Sequence, residues 1–174
     1  SALMCGIAGF RGQSFRLDEA AGSLRRMTDA IRHRGPDDAG HWFDAEAGVA
    51  LGHRRLSILD LSPEGHQPMV SASGRYVIVF NGEIYNFARL RAALDPGVRF
   101  RGRSDTEVLL HGVRTWGFDE TVRRAHGQFA LAVWDAERRV LRAARDRAGK
   151  KPFFYAHQGA ALAFASTLNA LLEL

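Results

Sequence analysis

Cysteine is nearly absent from this chain. A single thiol, Cys5, occurs in 174 residues, so no internal disulfide can form, which fits a reducing cytoplasm. At this length one domain buries about two-thirds of the surface its unfolded chain would expose, so no metal or disulfide staple is needed. Apolar runs of bilayer-spanning length are also missing, as is a basic start leading into an apolar signal core, and no membrane partner is expected. Lysine is scarce. The net charge of +5 comes almost entirely from arginine, scattered among Asp and Glu rather than gathered into runs. Arg25-Arg26, Arg123-Arg124 and Arg138-Arg139 read as solvated helix faces or turns. That argues against nucleic acid and leaves small anionic or carboxylate-bearing substrates. The seven histidines include no close i, i+4 pair, and with one cysteine they make no zinc spacing, so no metal site is expected. Gly149-Lys150 lacks the upstream glycine of a phosphate-binding loop. No internal repeat or low-complexity segment is present.

What is present is arranged around the first residues. Cys5 to Phe10 is an apolar run broken by glycines, predicting a buried strand with close backbone approach. Ser1-Ala2-Leu3 carries no pattern of its own and is expected to be an added leader, with one domain over 4–174. Asp18 is placed to cap a helix over about 18–31, on the spacing of Leu24, Met27 and Ile31. His33-Arg34-Gly35-Pro36-Asp37-Asp38 is a turn cluster. Strands follow at 41–43, 49–53 and 56–59, with Gly48 turning the first into the second, then a loop over 62–68. The run 76–80 is apolar on both faces and predicts a central strand, with Asn81-Gly82-Glu83 as polar groups at its tip.

A helix through Leu90, Ala93 and Leu94 stops at Pro96-Gly97, and a short strand is expected at 98–100. Ser104-Asp105-Thr106-Glu107 has capping-box spacing and opens a helix to about Trp116. Hairpins follow over 128–135 with 139–146, and over 152–156 with 162–165, the latter turning at His157-Gln158-Gly159. Ser166 is placed to cap a last short helix. Two antiparallel sheets between helical layers, in the α+β class, accommodate this order.

Cys5 taken alone has two readings, a buried core residue or a nucleophile. Were it the first residue, its free α-amino group, with a pKa of about 7.7–8.0, could accept the thiol proton near neutral pH; the alternative base is a histidine, and none falls in a local cysteine-protease signature. A thiol attacking a carboxamide needs donors for the developing oxyanion. Asn81-Gly82 offers a side-chain amide and an unhindered backbone N–H, or else is a plain turn. An amino-acid head would need a cation for its carboxylate, from Arg54 or Arg55, and anions for its ammonium, from Glu83 and Asp105. Asp105 could instead serve only a helix N-terminus.

Eight stretches stand in order along the chain: Met-Cys-Gly-Ile-Ala-Gly at 4, His-Arg-Gly-Pro-Asp at 33, Gly-His-Arg-Arg-Leu-Ser-Ile at 52, Gly-His-Gln-Pro-Met at 65, Phe-Asn-Gly-Glu-Ile-Tyr-Asn at 80, Ser-Asp-Thr-Glu-Val at 104, Gly-Gln-Phe-Ala at 127 and Arg-Asp-Arg-Ala-Gly-Lys-Lys-Pro at 145. Together they resemble the glutamine amidotransferase domain of asparagine synthetases, a class II amidotransferase with the N-terminal-nucleophile hydrolase fold. The resemblance implies a four-layer αββα sandwich and a glutaminase reaction. It implies Cys5 as nucleophile, Asn81 and the Gly82 amide as oxyanion donors, Arg55 on the glutamine α-carboxylate and Glu83 with Asp105 on its α-ammonium. Backbone groups around Leu56 and Leu59 would line the pocket. The partners implied are glutamine and an ATP-dependent synthetase domain, C-terminal or separate, that receives the ammonia; a homodimer is compatible with it. No cofactor is implied in this domain, with ATP and Mg confined to the synthetase domain.

That synthetase domain is missing from this chain, which is expected to be cut from a longer protein, or else to be a stand-alone subunit. Thr167 and Asn169 stand where the family usually has Glu and Lys, and Lys150 where an aliphatic residue is usual. An acceptor other than aspartate is therefore an alternative, as is a catalytically silent glutamine-sensing or docking domain. With Ser1 to Met4 attached, the Cys5 nitrogen is an amide and no base; that form is expected to hydrolyse glutamine hardly at all.

Overall fold

The computed structural model describes residues 4–13, 16–56 and 63–174. In chain order the elements are β1 (Gly6–Arg11), α1 (Leu17–Ala30), β2 (Asp38–Asp44), β3 (Val49–Arg55), β4 (Met69–Val70), β5 (Tyr76–Ile84), α2 (Phe87–Ala93), α3 (Asp105–Trp116), α4 (Phe118–Arg124), β6 (Gly127–Asp135), β7 (Val140–Arg145), β8 (Phe154–Gln158), β9 (Ala161–Ala165) and α5 (Leu168–Leu172), with a short 3-10 turn at Pro63–Gly65. One sheet runs β2-β3-β1-β9-β8 and the other β4-β5-β6-β7. The pairings are antiparallel throughout.

Three apolar layers hold the stack together. Ile7, Val49 and Leu51 from the first sheet meet Val77, Val79, Ala132 and Trp134 from the second, and all are buried. Met27, Ile31 and Ala170 close α1 and α5 over the outer side of the first sheet against Ala8 and Ala165. Ile78, Phe80, Ile84 and Phe129 pack on the other side of the second sheet against Leu90, Val108, Leu109 and Val113 of α2 and α3. The order helix, sheet, sheet, helix is the αββα sandwich, and it follows from strands that bury both faces.

Several local expectations change. Asp18 lies in the first turn of α1 rather than at its cap, which is Arg16 without a side-chain cap bond; there its charge still favours the helix N-terminus and pairs with Arg16. Residues 98–100 form no strand. Val98 and Phe100 pack against the helix-side core without a ladder partner. Ser104 does cap α3, its Oγ accepting from Glu107 N–H at 3.2 Å, but Glu107 does not complete the box. Its carboxylate accepts instead from Arg101 N–H and Gly102 N–H at 2.7 and 2.8 Å and fixes the preceding loop. Thr167, not Ser166, caps α5. Ser166 bonds twice to Ile7: its Oγ accepts from Ile7 N–H and its own N–H donates to Ile7 C=O, both at 2.9 Å. β4 and α4 add to the elements expected. The strand expected at 56–59 falls mostly outside the described residues, and Leu56 itself lies beyond the end of β3.

Candidate active site

Cys5 immediately precedes β1, the central strand of its sheet, so a rigid and buried element carries it. Its Sγ accepts from Leu56 N–H at 3.4 Å, and its carbonyl accepts from Arg34 Nε at 3.3 Å. Among the described residues no histidine nitrogen bonds to the sulfur.

Asn81, Gly82 and Glu83 are not at a strand tip. β5 continues through them to Ile84, with Asn81 opposite Ala130, Gly82 opposite Phe129 and Glu83 opposite Gln128. Antiparallel partners exchange bonds only at alternate pairs. Phe129 turns away from β5, since its N–H donates to Asp146 Oδ2 at 3.1 Å and its C=O accepts from Asp146 N–H at 2.8 Å. The Gly82–Phe129 pair is therefore the unbonded kind, and the Gly82 N–H points to the free edge of β5. Side chains occupy that edge on either side. Phe80 N–H donates to Gln67 Oε1 at 2.6 Å, Phe80 C=O accepts from His53 Nε2 at 3.2 Å, and Ile84 N–H donates to Asp105 Oδ2 at 2.9 Å. Between them the Gly82 N–H has no partner among the described residues. Glycine is required for close packing as well: a Cβ there would lie 2.2 Å from Gln128 O.

An open cleft of about 900 Å³ lies along this edge. Cys5, Arg55, Leu56, Gly82, Glu83 and Asp105 all line it. The structure thus brings together every expected site residue but two. Leu59 lies outside the described residues. Asn81 is 1% exposed and does not line the cleft. Alternation puts its side chain on the face shared with Val77 and Val79, toward the first sheet, and its Nδ2 is buried with no hydrogen-bond partner. The Arg55 guanidinium packs on Gly65, where a Cβ would stand 2.5 Å from it. Glu107 holds the loop at 101–102 that walls the cleft, helped by Arg91 donating to Gly102 C=O at 3.1 Å. Burial pushes the Asp105 carboxyl above its ordinary range, with Glu83 adding to the push, while the N–H groups of Ile84, Thr106 and Asp105 itself oppose it. A cation between Glu83 and Asp105 would relieve both effects.

His53, Gln67 and Arg34 are the site residues that the sequence reading did not single out. All stand inside recognised stretches, but their partners are far along the chain. His53 is 1% exposed, and burial drives its imidazole down to about 3, against a raising bond to Phe80. It is neutral, with its proton on Nε2, because a carbonyl can only accept. With its imidazole driven down that far it holds a proton only weakly, and its bond runs to Phe80 rather than to the sulfur, so it serves to hold β5 and not as the base for Cys5. Because the unfolded chain binds this proton near pH 6.5 and the native one does not, stability is full above that pH. It should fall as pH drops toward about 3, by on the order of 4 kcal/mol. Denaturant melts between about pH 7 and pH 4 check this, and His53→Gln should flatten the slope; an unchanged slope would remove His53 as its source.

The matched family model, described as a glutamine amidotransferase domain, covers residues 4–174. The chain is 43% identical over 172 residues to the glutamine-hydrolysing asparagine synthetase 3 of Bacillus subtilis, covering 97% of this chain and 27% of that protein. It is 37% identical over 178 residues to amidase chry2 of Gibberella zeae, covering 97% and 26%. The chain thus spans about a quarter of the length of these curated relatives. In fold it matches the glutamine phosphoribosylpyrophosphate amidotransferase of B. subtilis with a TM-score of 0.78 at 22% identity, over 95% of this chain and 42% of that one. With the αββα layering, a cysteine at the head of the central strand and a family match over nearly its whole length, this chain belongs to the glutamine amidotransferase domain family and has the N-terminal-nucleophile hydrolase fold.

Proposed function

We propose that the cleft hydrolyses the side-chain carboxamide of glutamine and that the ammonia serves an ATP-dependent amide-forming synthetase domain. The observation that carries this reading is the Gly82 N–H left unpaired in a cleft that also holds the Cys5 thiol and charges of both signs. In a chain processed to begin at Cys5, the α-amino group takes the thiol proton, directly or through water. The thiolate attacks the carboxamide carbon, and the oxyanion is received by Gly82 N–H; Asn81 Nδ2, unpaired behind the cleft wall, becomes the second donor once its side chain turns toward the cleft. Collapse expels ammonia with the proton from the amine. Water then attacks the γ-glutamyl thioester, giving glutamate and restoring the thiol. Arg55 holds the α-carboxylate, Glu83 and Asp105 hold the α-ammonium, and Leu56 lines the pocket; Leu59 is assigned by resemblance alone. These steps use side chains and the terminal amine, so ATP and Mg²⁺ are assigned to the synthetase domain.

The synthetase domain is either continuous with this chain or separate. Its acceptor is aspartate if the asparagine synthetase branch is followed throughout, and another carboxylate if the Thr167 and Asn169 departures matter. A single cysteine, which can form no internal disulfide, is compatible with a cytoplasmic location. Among the described residues no helix is long and apolar enough to cross a membrane. A homodimer draws support from neither the fold nor the relatives.

The test is glutamate release from glutamine by chain beginning at Cys5. Arg55→Ala should raise KM about 10- to 100-fold, as expected for one charge-assisted contact made equally in ground and transition states, with kcat changed much less. An unchanged KM would remove Arg55 from the carboxylate, and no release by the wild-type chain would overturn the glutaminase reading.

A further inference from the structure

The stretch Arg145 to Lys151 has no task in the reaction above, yet it is built with care around two side chains. Asp146 accepts from the N–H groups of Phe129, Lys150 and Lys151 at 3.1, 2.9 and 3.0 Å. Arg145 donates to the carbonyls of Gly149, at 2.6 Å, and of Lys151. Gly149 sits at φ +62°, and a Cβ there would come within 3.2 Å of the Arg145 guanidinium. The loop therefore closes tightly, and what it delivers is one ammonium. Lys151 is 6% exposed, and its Nζ contacts Met4 Sδ at 2.8 Å, on the residue directly before Cys5.

A thioether is a weak acceptor, and among the described residues no carboxylate forms an ion pair with this ammonium. Burying an ammonium against so weak a partner is costly. The charged groups around it are Arg34 from the turn after α1, Cys5 before β1, Glu83 on β5 and Asp146 in its own loop. Burial lowers the affinity of Lys151 for its proton, and Arg34 adds to this, while Cys5, Glu83 and Asp146 oppose it. Arg34 donates to the Cys5 carbonyl at 3.3 Å and keeps Nη2 buried without a partner. Two cations thus flank the residue that becomes the N-terminus when Met4 is removed.

We propose that Lys151 is a positioning residue for the nucleophile: with Met4 gone, its ammonium stands beside the α-amino group of Cys5 and, with Arg34, keeps that amine unprotonated and able to take the thiol proton. This rests on the reading of Cys5 as an N-terminal nucleophile. The sign follows from charge. A neighbouring cation disfavours the protonated amine and favours the thiolate, and the ammonium formed by taking the thiol proton is a stronger acid toward the departing ammonia. Glu83 works against this until the substrate ammonium engages it.

The experiment compares wild type, Lys151→Gln, Lys151→Met and Lys151→Arg, each beginning at Cys5. The readouts are the pH profile of kcat/KM for glutamate release and, without glutamine, the pH profile of Cys5 alkylation by iodoacetamide. Methionine keeps the apolar stem should glutamine not fold. The Gln and Met variants should move the acidic limb of kcat/KM upward by about one pH unit or more and shift alkylation the same way, and Arg should restore both. If both limbs stay at their wild-type pH in the Gln and Met variants, whatever the fall in kcat, the proposal is overturned and Lys151 only packs. Should wild type alkylate at Cys5 but release no glutamate, the glutaminase reading fails, and the alkylation profiles still decide the role of Lys151.

Discussion

Chain beginning at Cys5 is expected to release glutamate from glutamine, and Cys5→Ala to lower that release by about 10⁴-fold or more. Leaving Met4 in place should cost nearly as much. The reason is local. Loss of a nucleophile removes the covalent route altogether, and measured losses for such residues are of this size or larger. With Met4 attached the Cys5 nitrogen is a peptide amide and cannot take a proton. His53 cannot replace it: its bond runs to Phe80 C=O rather than to the sulfur, and an imidazole driven down to about 3 holds a proton too weakly near neutral pH. Among the described residues the other groups at the sulfur are Leu56, whose N–H donates at 3.4 Å and whose C=O accepts from the thiol at 4.0 Å without being basic enough to take its proton, and the Arg34 and Lys151 cations. Glutamate release measured on chain confirmed by intact mass to begin at Met4 and at Cys5 separates the two forms. Equal rates would mean that another residue serves as base.

Asn81→Leu is expected to lower kcat by about 10²–10³-fold while leaving the melting temperature unchanged or higher. Removing one oxyanion donor costs about that much in rate. In the resting protein the same Nδ2 is buried and unpaired, and an orphaned buried donor destabilises a fold by about 1–3 kcal/mol. An isosteric apolar side chain removes that penalty, so stability and catalysis should move in opposite directions. A melting temperature that falls along with kcat would show that Asn81 holds β5 together rather than awaiting an oxyanion. Paired thermal melts and kcat values on chain beginning at Cys5 make the distinction.

The reach of the sequence is clearest along β5. The apolar run Tyr76 to Phe80 marks a central strand, and the following Asn-Gly-Glu marks the site. That the strand runs on to Ile84 is not written locally, because its continuation depends on β6 lying alongside. Polar residues stay in a strand when their backbone groups are paired. Residues 98–100 err in the opposite direction: apolar enough for a strand, they pack on the core with no neighbour to bond. Ser166 and Thr167 carry the same hydroxyl, and only the position of Ile7 decides which one caps α5. Site chemistry follows the same division. Cys5, Arg55, Glu83 and Asp105 are legible from residue type and motif. The clamp of His53 and Gln67 on Phe80, which leaves Gly82 as the free donor, joins residues 27 and 13 positions apart. Lys151 meets Met4 across 147 positions. Spacing carries no information at such separations.

The most direct measurement is intact-protein and peptide mass spectrometry on chain beginning at Cys5, acid-quenched during turnover of glutamine. A γ-glutamyl adduct on the peptide that starts at Cys5, absent with Cys5→Ala and absent when Met4 is retained, is the predicted result. Glutamate release at full rate with the adduct on another residue, or undiminished in Cys5→Ala, would contradict the account.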